Sequence, residues 1–387
     1  MDNHLTIGII GAGGFAAFAA KAFVKIDGIR IKAVTDVNLS FAHHVASEVE
    51  ALVYPGYEEM LADTAIDLIY IATPPFLHYA QSKQALLAGK HVICEKPAAL
   101  KTVEAEELAT YARSKGLLYT VNLMQRYNPL YATVKAIIDE KWLGDFVHGF
   151  FDNYASDEKL VPSHWFWDRQ QSGGIFIEHG VHFFDMFEGW FGPGKLVHAM
   201  EIARASVSPP VTDRVQAVVL YNNSPVNFYH GFNQPKVLDR QELRLQFDRG
   251  DITLYEWVPV KIRIHGLFSK ELIEKINQHF PIASIEVIES PTGQGQHVTG
   301  KFKDIAYDAL MTITSGDIKD KMDRYEQLVI SMLEDQWAWI RDPSHPRKID
   351  DTNAVESLRI AEEATWQSKI IETFSILLII FYLTDHF

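Results

Sequence analysis

Three residues that can bind or transfer a proton interrupt the otherwise apolar stretch 172–190. Glu178, His182 and Asp185 stand at positions i, i+4 and i+7, so on a helix their side chains share one face. A carboxylate one turn from an imidazole can orient the ring and raise its basicity, and the ring can then accept a proton near neutral pH. The same spacing also suits a buried helix with an internal hydrogen-bond network, and spacing alone does not decide between the two.

Length and composition are typical of a globular protein with more than one domain. The 387 residues, 47% of them hydrophobic and 22% charged, suffice for two or three domains with a large core. A formal net charge of −14 argues against nucleic acid or an anionic membrane as a partner. The single cysteine, Cys94, excludes an internal disulfide, and no signal peptide pattern is visible before residue 5. We therefore expect a cytoplasmic protein.

The N-terminal residues carry a phosphate-binding pattern. An apolar run at 5–10 is followed by G-A-G-G-F-A at 11–16 and by a helix-like segment, so a strand, a glycine turn and a helix follow one another. This order matches the dinucleotide fingerprint, in which glycines allow a tight turn and close approach of a pyrophosphate, and the helix N-terminus binds the phosphates. The residues assigned to this cofactor contact are Gly11, Gly13, Gly14, Phe15 and Ala16.

Asp36 ends the next predicted strand, residues 29–36. Dinucleotide-binding folds place here an acidic residue that hydrogen-bonds the adenosine ribose. Val37 and Asn38 follow, with no basic residue that would bind a 2′-phosphate, so we expect NAD rather than NADP as the cofactor. An N-cap for the following helix is the alternative role of Asp36.

Strands and helices alternate through residues 1–124, which predicts an α/β domain with a parallel, doubly wound Rossmann sheet. Ligands bind beyond the carboxyl ends of such strands. The further strands are predicted at 67–73, 91–97 and 117–123, with helices at 76–89 and 102–115. The residues at these strand ends that we assign to the cofactor are Thr73, Pro74, Glu95, Lys96 and Asn122.

Lys96 has the most specific chemistry of these residues. At the end of a buried strand it points toward the cofactor crevice, where an ammonium group could polarise a substrate hydroxyl as that oxygen becomes a carbonyl. A surface ion pair is the alternative interpretation.

Four segments resemble the Gfo/Idh/MocA family of nicotinamide-dependent oxidoreductases, the relatives of glucose–fructose oxidoreductase and inositol dehydrogenase. They are GIIGAGGFA (8–16), IYIATPPFLHYAQSKQALLAGKHVICEKPAA (69–99), NLMQRYNP (122–129) and SGGIFIEHGVHFFDMFEGWFG (172–192). The triplet E-K-P after a strand, with [DE]-x-G-x-H-x-x-D downstream, is far more specific than the glycine turn.

The resemblance implies a catalytic role for three residues. Lys96 would be the lysine that contacts the substrate hydroxyl and the nicotinamide ribose. His182 would be the general base that takes the hydroxyl proton. Glu178 falls where many members carry aspartate, so the charge is kept on a side chain that is one methylene longer.

The resemblance also implies binding residues. Pro74 and His78 would line the cofactor, and Arg126 and Tyr127, in the motif R-Y-x-P, would contact the substrate. Asp185 is assigned to the substrate as well. No metal ion is expected at the site.

The remaining chain predicts an α+β domain at residues 125–369 with a mostly antiparallel open sheet. Strand-like runs between residues 145 and 266 alternate apolar and polar positions, which indicates one covered face. Residues 268–318 show no regular pattern, and helices return at 320–341 and 351–372. An exposed sheet face needs covering, so we expect a homodimer or homotetramer through this sheet.

Two tryptophans and the C-terminal tail need separate interpretations. The indoles of Trp165 and Trp167 could stack on the apolar face of a sugar, and packing of their loop is the alternative. The apolar tail, residues 370–387, includes an apolar run shorter than the ~20 residues that a membrane-spanning helix needs. We expect it to pack on the body or on a neighbouring subunit, with interfacial membrane contact as the alternative.

The leading functional prediction is an NAD-dependent dehydrogenase that oxidises a secondary hydroxyl of a sugar, cyclitol or glycoside. The alternative is a redox-neutral hydrolase or lyase that uses NAD transiently through a keto-sugar. A non-catalytic NAD sensor is a third possibility, against which the set of Lys96, Glu178 and His182 argues.

Overall fold

The computed structural model describes residues 4–158, 160–204, 210–280, 284–290, 296–299, 304–316 and 320–384. In the last helix, side chains are described as far as residue 368. The described residues form two large sheets with helices packed around them.

The N-terminal part is a six-stranded parallel sheet flanked by helices. Its elements are β1 (Leu5–Ile10), α1 (Gly14–Phe23), β2 (Ile29–Thr35), α2 (Leu39–Glu48), β3 (Leu52–Val53), α3 (Tyr57–Ala62), β4 (Leu68–Ile71), α4 (Pro75–Leu87), β5 (His91–Cys94), α5 (Thr102–Lys115) and β6 (Tyr119–Val121). The strand order β3-β2-β1-β4-β5-β6 confirms the predicted doubly wound topology. The order reverses between β1 and β4, so a ligand crevice opens at their carboxyl ends.

The C-terminal part is built on a nine-stranded sheet. Its elements are α6 (Pro129–Asp139), β7 (Phe146–Ser156), α7 (Arg169–Ser172), α8 (Val181–Phe191), β8 (Lys195–Arg204), β9 (Val211–Tyr221), β10 (Ser224–Gln234), β11 (Arg240–Phe247), β12 (Gly250–Tyr255), β13 (Lys261–Phe268), α9 (Lys270–His279), β14 (Ser284–Glu289), β15 (Gln296–Thr299), β16 (Asp304–Tyr307), β17 (Ala309–Gly316), α10 (Lys321–Arg341) and α11 (Asp351–Thr384). The sheet order is β14-β17-β13-β12-β11-β7-β10-β9-β8. Its pairs are antiparallel except β7 with β10, which confirms a mostly antiparallel sheet.

Residues 268–318 are more regular than their sequence indicated. They contain α9 and the strands β14 to β17, and β14 and β17 extend the large sheet. Every side chain of β14 is exposed. Because β14 is an edge strand without a covered face, burial does not impose the apolar–polar alternation by which strands are recognised.

Helix α11 joins the two parts. It packs against α5 and β6 on one side and against α8 and β8 on the other. At its side, Glu362 accepts hydrogen bonds from the backbone N–H of Thr102 at 2.7 Å and from its hydroxyl at 2.6 Å. Arg113 of α5 forms an ion pair with Asp351. This helix therefore packs against elements of both parts and holds them together.

The predicted packing of the apolar tail concerns side chains outside the described part of the chain. Helix α11 continues to Thr384, but its side chains are described only to residue 368, so the packing stays a prediction. Over the described residues, no helix combines the length and the apolar character needed to cross a membrane.

His230, on β10, is an unusual member of the core beneath α8. It has no exposed surface, and neither ring nitrogen has a hydrogen-bond partner among the described residues. The ring packs against Phe151 at 5.3 Å and Phe183 at 5.7 Å between centroids. Burial lowers the pKa of His230 from 6.5 to about 3, so the folded protein holds this ring neutral.

Replacing His230 by phenylalanine should reduce the acid sensitivity of folding. In the unfolded chain His230 takes up a proton below pH 6.5, whereas in the folded chain it does so only near pH 3. Stability contributed by the neutral ring is therefore complete above pH 6.5 and is lost as the pH falls toward 3. Denaturation at pH 7, 6 and 5 should show the stability of H230F, relative to wild type, rising by about 1 kcal/mol per pH unit of acidification. A substitution of exposed His198 by glutamine should show no such trend. A stability difference between H230F and wild type that is the same at all three pH values would contradict the burial account.

Candidate functional site

A cavity of about 640 Å³ lies between the carboxyl edge of the parallel sheet and the inner face of the nine-stranded sheet. Thr73 and Lys96, which follow β4 and β5, line one side. His182 of α8 and the strand residues Asn153 and Gln241 line the other. The cavity therefore lies where the doubly wound topology predicts a ligand site, and residues far apart in the chain meet there.

The glycine turn leaves open space at the start of α1. Gly11 has a φ of +91°, and a Cβ there would lie 2.7 Å from the carbonyl oxygen of Ala72, so the tight turn requires glycine. A Cβ at Gly13 or Gly14 would meet no described atom within 4 Å. Ala16 is fully buried where the helix packs on the sheet.

The N-terminus of α1 fits a phosphate group. No described side chain caps it, and its first turn contains no acidic residue, so its amides and the positive end of the helix dipole face the open space. Phe15 of this turn lines the cavity, which links the glycine turn to the rest of the site.

Asp36 lies beside the glycine turn at the end of β2. Its carboxylate accepts hydrogen bonds from the backbone N–H of Ala12 and from that of Asn38, both at 2.7 Å. The N-cap of α2 is Asn38, whose side chain accepts from the N–H of Ser40, so the capping role considered for Asp36 belongs to its neighbour.

Lys96 is paired with Glu178 across the cleft. The ammonium group donates to the backbone carbonyl of Glu178 at 2.7 Å and to its carboxylate, and the two side chains are only 18% and 12% exposed. The sequence predicted that Glu178 would orient His182, but the partner of its carboxylate is Lys96. This ion pair joins the end of β5 to the segment before α8.

The stretch 172–190 is not one continuous helix. Two glycines with positive φ, Gly173 at +79° and Gly174 at +96°, follow α7. A π-helical turn, Phe176–Gly180, then precedes α8. Single π-turns are frequent at functional sites because they add a residue and re-aim the side chains. This turn carries Glu178 and His179 to the cavity.

His182 is a neutral base in the cavity wall. The residue is 5% exposed, and its Nδ1 is enclosed with no hydrogen-bond partner in the described part of the chain. Burial, and then the charge of Lys96, lower the pKa of His182 to about 3. At neutral pH the ring is uncharged, so it can accept a hydrogen bond from a hydroxyl.

Glu95 and Asn122 form a polar pair behind Lys96. The carboxylate of Glu95 accepts from Tyr70 and, at 2.9 Å, from the amide of Asn122. Burial raises the pKa of Glu95 to about 6. The Oδ1 of Asn122 is enclosed and has no described partner, so this pair keeps an unused hydrogen-bond acceptor.

His78 and Pro74 lie behind the cavity wall rather than in it. His78 is fully buried, with its ring nitrogens 2.7 Å from the carbonyl oxygen of Thr73 and 2.6 Å from that of Pro97. It links the ends of β4 and β5. Pro74 is the N-cap residue of α4, and the adjacent Pro75 lines the cavity instead.

Three residues that the sequence assigned to the substrate are turned into the protein. Arg126 and Asp185 form an ion pair with an N–O distance of 2.8 Å, and Asp185 has no exposed surface. The hydroxyl of Tyr127 donates to Asp335 of α10 at 2.6 Å. Asp185 is internal because α8 runs from the cavity into the core, so one turn beyond His182 its side chains are buried. Arg126 and Tyr127 lie on the turn Met124–Tyr127 and are held there by Asp185 and Asp335.

The two tryptophans differ in the same way. Trp165 lines the cavity. The indole N–H of Trp167 donates to the carbonyl oxygen of Leu160 at 3.0 Å, and its ring packs against Phe166. Only Trp165 therefore reaches the site.

Several cavity residues were missed by the sequence reasoning. Asn153 and Gln241 are 1% and 5% exposed and lie opposite each other on β7 and β11. Both occupy inward positions of alternating strands, so a polar residue in the buried phase of an alternating pattern was the available signal. His179, next to Gly180 in the π-turn, is another, and its local sequence gave no such signal.

Two family models match the chain, one in each of its two parts. Residues 5–123 match the family described as oxidoreductase family, NAD-binding Rossmann fold, and residues 131–253 match the GFO/IDH/MocA C-terminal domain.

Individual relatives agree with the family match. An uncharacterized oxidoreductase of Synechocystis sp. is 31% identical over 212 residues, which are 54% of this chain and 57% of that protein. The scyllo-inositol 2-dehydrogenase (NAD(+)) of Bacillus subtilis is 28% identical over 189 residues, 48% of this chain and 54% of the relative. The matched region is thus little more than half the length of these curated relatives.

A solved structure shows the same fold over nearly the whole chain. Levoglucosan dehydrogenase, in complex with NADH and levoglucosan, superposes with a TM-score of 0.74 at 17% identity, covering 95% of this chain and 97% of that one. Because the two family matches together span more than half of the chain, the chain belongs to the Gfo/Idh/MocA family of NAD(P)-binding oxidoreductases.

Proposed function

We propose that this protein is an NAD-dependent dehydrogenase that oxidises a secondary hydroxyl of a sugar, cyclitol or glycoside. The observation that supports it most directly is the meeting of Lys96 and His182 in one cavity beside the glycine turn. One residue is a cation held at the end of a parallel strand, and the other is a neutral base on the opposite wall. A hydroxyl placed between them has a proton acceptor and a charge that stabilises its oxygen.

The first part of the chain would hold the cofactor. The amides of Gly13, Gly14 and Phe15 would bind its phosphates, and Asp36 would accept from the hydroxyls of the adenosine ribose. The negative charge of Asp36 would repel a 2′-phosphate, which favours NAD over NADP. Bound NAD supplies the acceptor for the hydride that leaves the substrate carbon.

Thr73, Glu95 and Asn122 would bind the nicotinamide end. Thr73 and Glu95 line the cavity beside Lys96, and Asn122 is hydrogen-bonded to Glu95. The carboxylate of Glu95 is suited to ribose or amide donors, and Asn122 would hold that carboxylate in position.

The proton would pass to His182. Because Nδ1 is enclosed, Nε2 is the ring nitrogen that remains for the substrate hydroxyl. Lys96 has three N–H donors and uses two on Glu178, so a third remains for the same oxygen. As the hydroxyl loses its proton and its carbon loses a hydride, that oxygen becomes a carbonyl next to the ammonium group. Glu178 would act by fixing Lys96 in position.

Aromatic side chains would cover the substrate. Trp165 and Trp257 line the cavity, and an indole face is suited to the apolar face of a sugar ring while it excludes water. Arg126, Asp185 and Tyr127, which face away from the cavity, would stabilise the fold around it.

Removal of the base tests the reaction. Purified protein with NAD should form NADH on at least one member of a panel of free sugars, inositols, anhydro sugars and glycosides, followed at the nicotinamide absorbance. A substitution of His182 by asparagine should lower kcat about 100-fold or more, because the proton acceptor is lost. NAD affinity, measured by titration without substrate, should stay within about twofold. The exposed control H198Q should match wild type in both.

The outcomes separate the proposals. Near-wild-type turnover by H182N would remove His182 from the reaction. Consumption of a glycoside with no accumulation of NADH would favour the redox-neutral hydrolase or lyase. If no member of the panel yields NADH, the dehydrogenase proposal is overturned.

A pair of glycine substitutions tests the cofactor position. At Gly13, φ is −69° and a methyl group meets no described atom, so G13A should fold with unchanged thermal stability. The methyl group would fill the space assigned to the pyrophosphate, and NAD affinity should fall at least tenfold. G11A should instead lower stability, because its Cβ would collide with Ala72. Unaltered NAD affinity in G13A would contradict the assignment.

A further inference from the structure

His179 and His230 form an imidazole pair beside the cavity. His179, in the π-turn, lines the cavity, while its Nε2 is enclosed and without a partner among the described residues. His230 lies behind it, with ring centroids 5.2 Å apart and planes at 87°. Neither nitrogen of His230 has a described partner. His179 therefore lies between His230 and the cavity, and Nδ1 is its ring nitrogen that remains for a ligand.

The surroundings of the pair keep both rings neutral. His179 packs against Phe183 at 5.3 Å and Phe232 at 5.1 Å between centroids. Burial lowers the pKa of both His179 and His230 far below 6.5. A neutral imidazole has one donor and one acceptor, so each ring matches a hydroxyl or another neutral imidazole. A hydroxyl in the cavity can pair with Nδ1 of His179, the ring nitrogen that is not enclosed.

The polar side chains continue across the sheet. In the strand register His230 stands opposite Asn153, and Asn153 stands opposite Gln241. Asn153 and Gln241 also line the cavity, and Oε1 of Gln241 is enclosed without a described partner. This row crosses β10, β7 and β11, so neutral hydrogen-bonding groups from three neighbouring strands form one wall.

Three lysines line the cavity, and two of them are paired. Lys96 is bound to Glu178, and Lys321 is bound to Glu256 at 2.7 Å. Lys236, on the loop after β10, is exposed. The wall formed by His179, Asn153 and Gln241 is itself uncharged, so it suits hydroxyl groups rather than a carboxylate or a phosphate.

We propose that His179, with its ring held by His230, binds a second hydroxyl of the sugar or cyclitol ring whose first hydroxyl is oxidised. His179 is then a specificity-determining residue, and the preferred substrate is an uncharged polyol. The inference rests on the proposed function, and it adds a contact that the reaction itself does not require.

Monodeoxy analogues test this contact. The probes are the polyol with the highest rate in the panel described above and its analogues that lack one ring hydroxyl each. Wild type should lose about 10-fold to 100-fold in kcat/KM on the analogue that lacks the hydroxyl bound by His179. H179F keeps an aromatic ring against Phe183 and Phe232. In this variant the penalty, the loss in kcat/KM on the deoxy analogue relative to the parent polyol, should be no more than about threefold. H179L is the second variant if H179F does not fold.

Two further variants separate recognition from packing. F183L alters the packing of both imidazoles without removing a polar group, so it should keep the wild-type penalty for the deoxy analogue. H230F should reduce the penalty in part, because His179 loses the neighbour that fixes its ring. A wild-type penalty in H230F would remove His230 from the proposal.

The failure of this inference differs from the failure of the proposed function. Suppose that wild type oxidises the parent polyol and that H179F and H179L reduce kcat/KM by the same factor on every substrate. The loss on the deoxy analogue then stays as large as in wild type, His179 only packs, and the inference is overturned. If wild type oxidises no polyol, the dehydrogenase proposal fails first and the second hydroxyl contact fails with it.

Discussion

The ion pair of Lys96 and Glu178 is the contact on which the geometry of the cleft depends. Lys96 belongs to the parallel sheet and Glu178 to the π-turn before α8, so the pair joins the two parts of the chain at the cavity itself. Both side chains are largely buried, and two charges removed from water are stable only when each satisfies the other. The ammonium group also bonds the backbone carbonyl of Glu178, so it holds the turn as well as the side chain.

A second buried ion pair lies deeper in the same helix. Asp185 of α8 is bound to Arg126 below the cavity, and α11 packs across α8 and α5. The polar residues of the stretch 172–190 are thereby divided: Glu178 and His182 face the cavity, and Asp185 faces the core. Polar residues at helical spacing thus serve two purposes, because the helix that carries them runs from the site into the interior.

The cavity combines a charged side with a neutral side. Around Lys96, opposite charges are paired and a lysine N–H remains available. Along the sheet, His179, Asn153 and Gln241 provide neutral groups, and burial keeps the histidine uncharged. Such a division suits a reaction in which one oxygen changes charge while the rest of the substrate keeps its hydroxyls.

The sequence by itself determined the parallel sheet, its glycine turn, the antiparallel character of the second sheet and the two residues, Lys96 and His182, that meet in the cavity. The sheets and the turn follow from local patterns, namely glycine spacing and the alternation of strand and helix or of apolar and polar residues, whereas Lys96 and His182 were assigned through the resemblance of their motifs to the family. Only the tertiary structure decided that Glu178 pairs with Lys96, that Arg126 turns inward, and that sheet residues join the site. Such pairings join residues far apart in the chain, and their geometry depends on the π-turn and on the packing of α8 and α11, which local spacing does not specify.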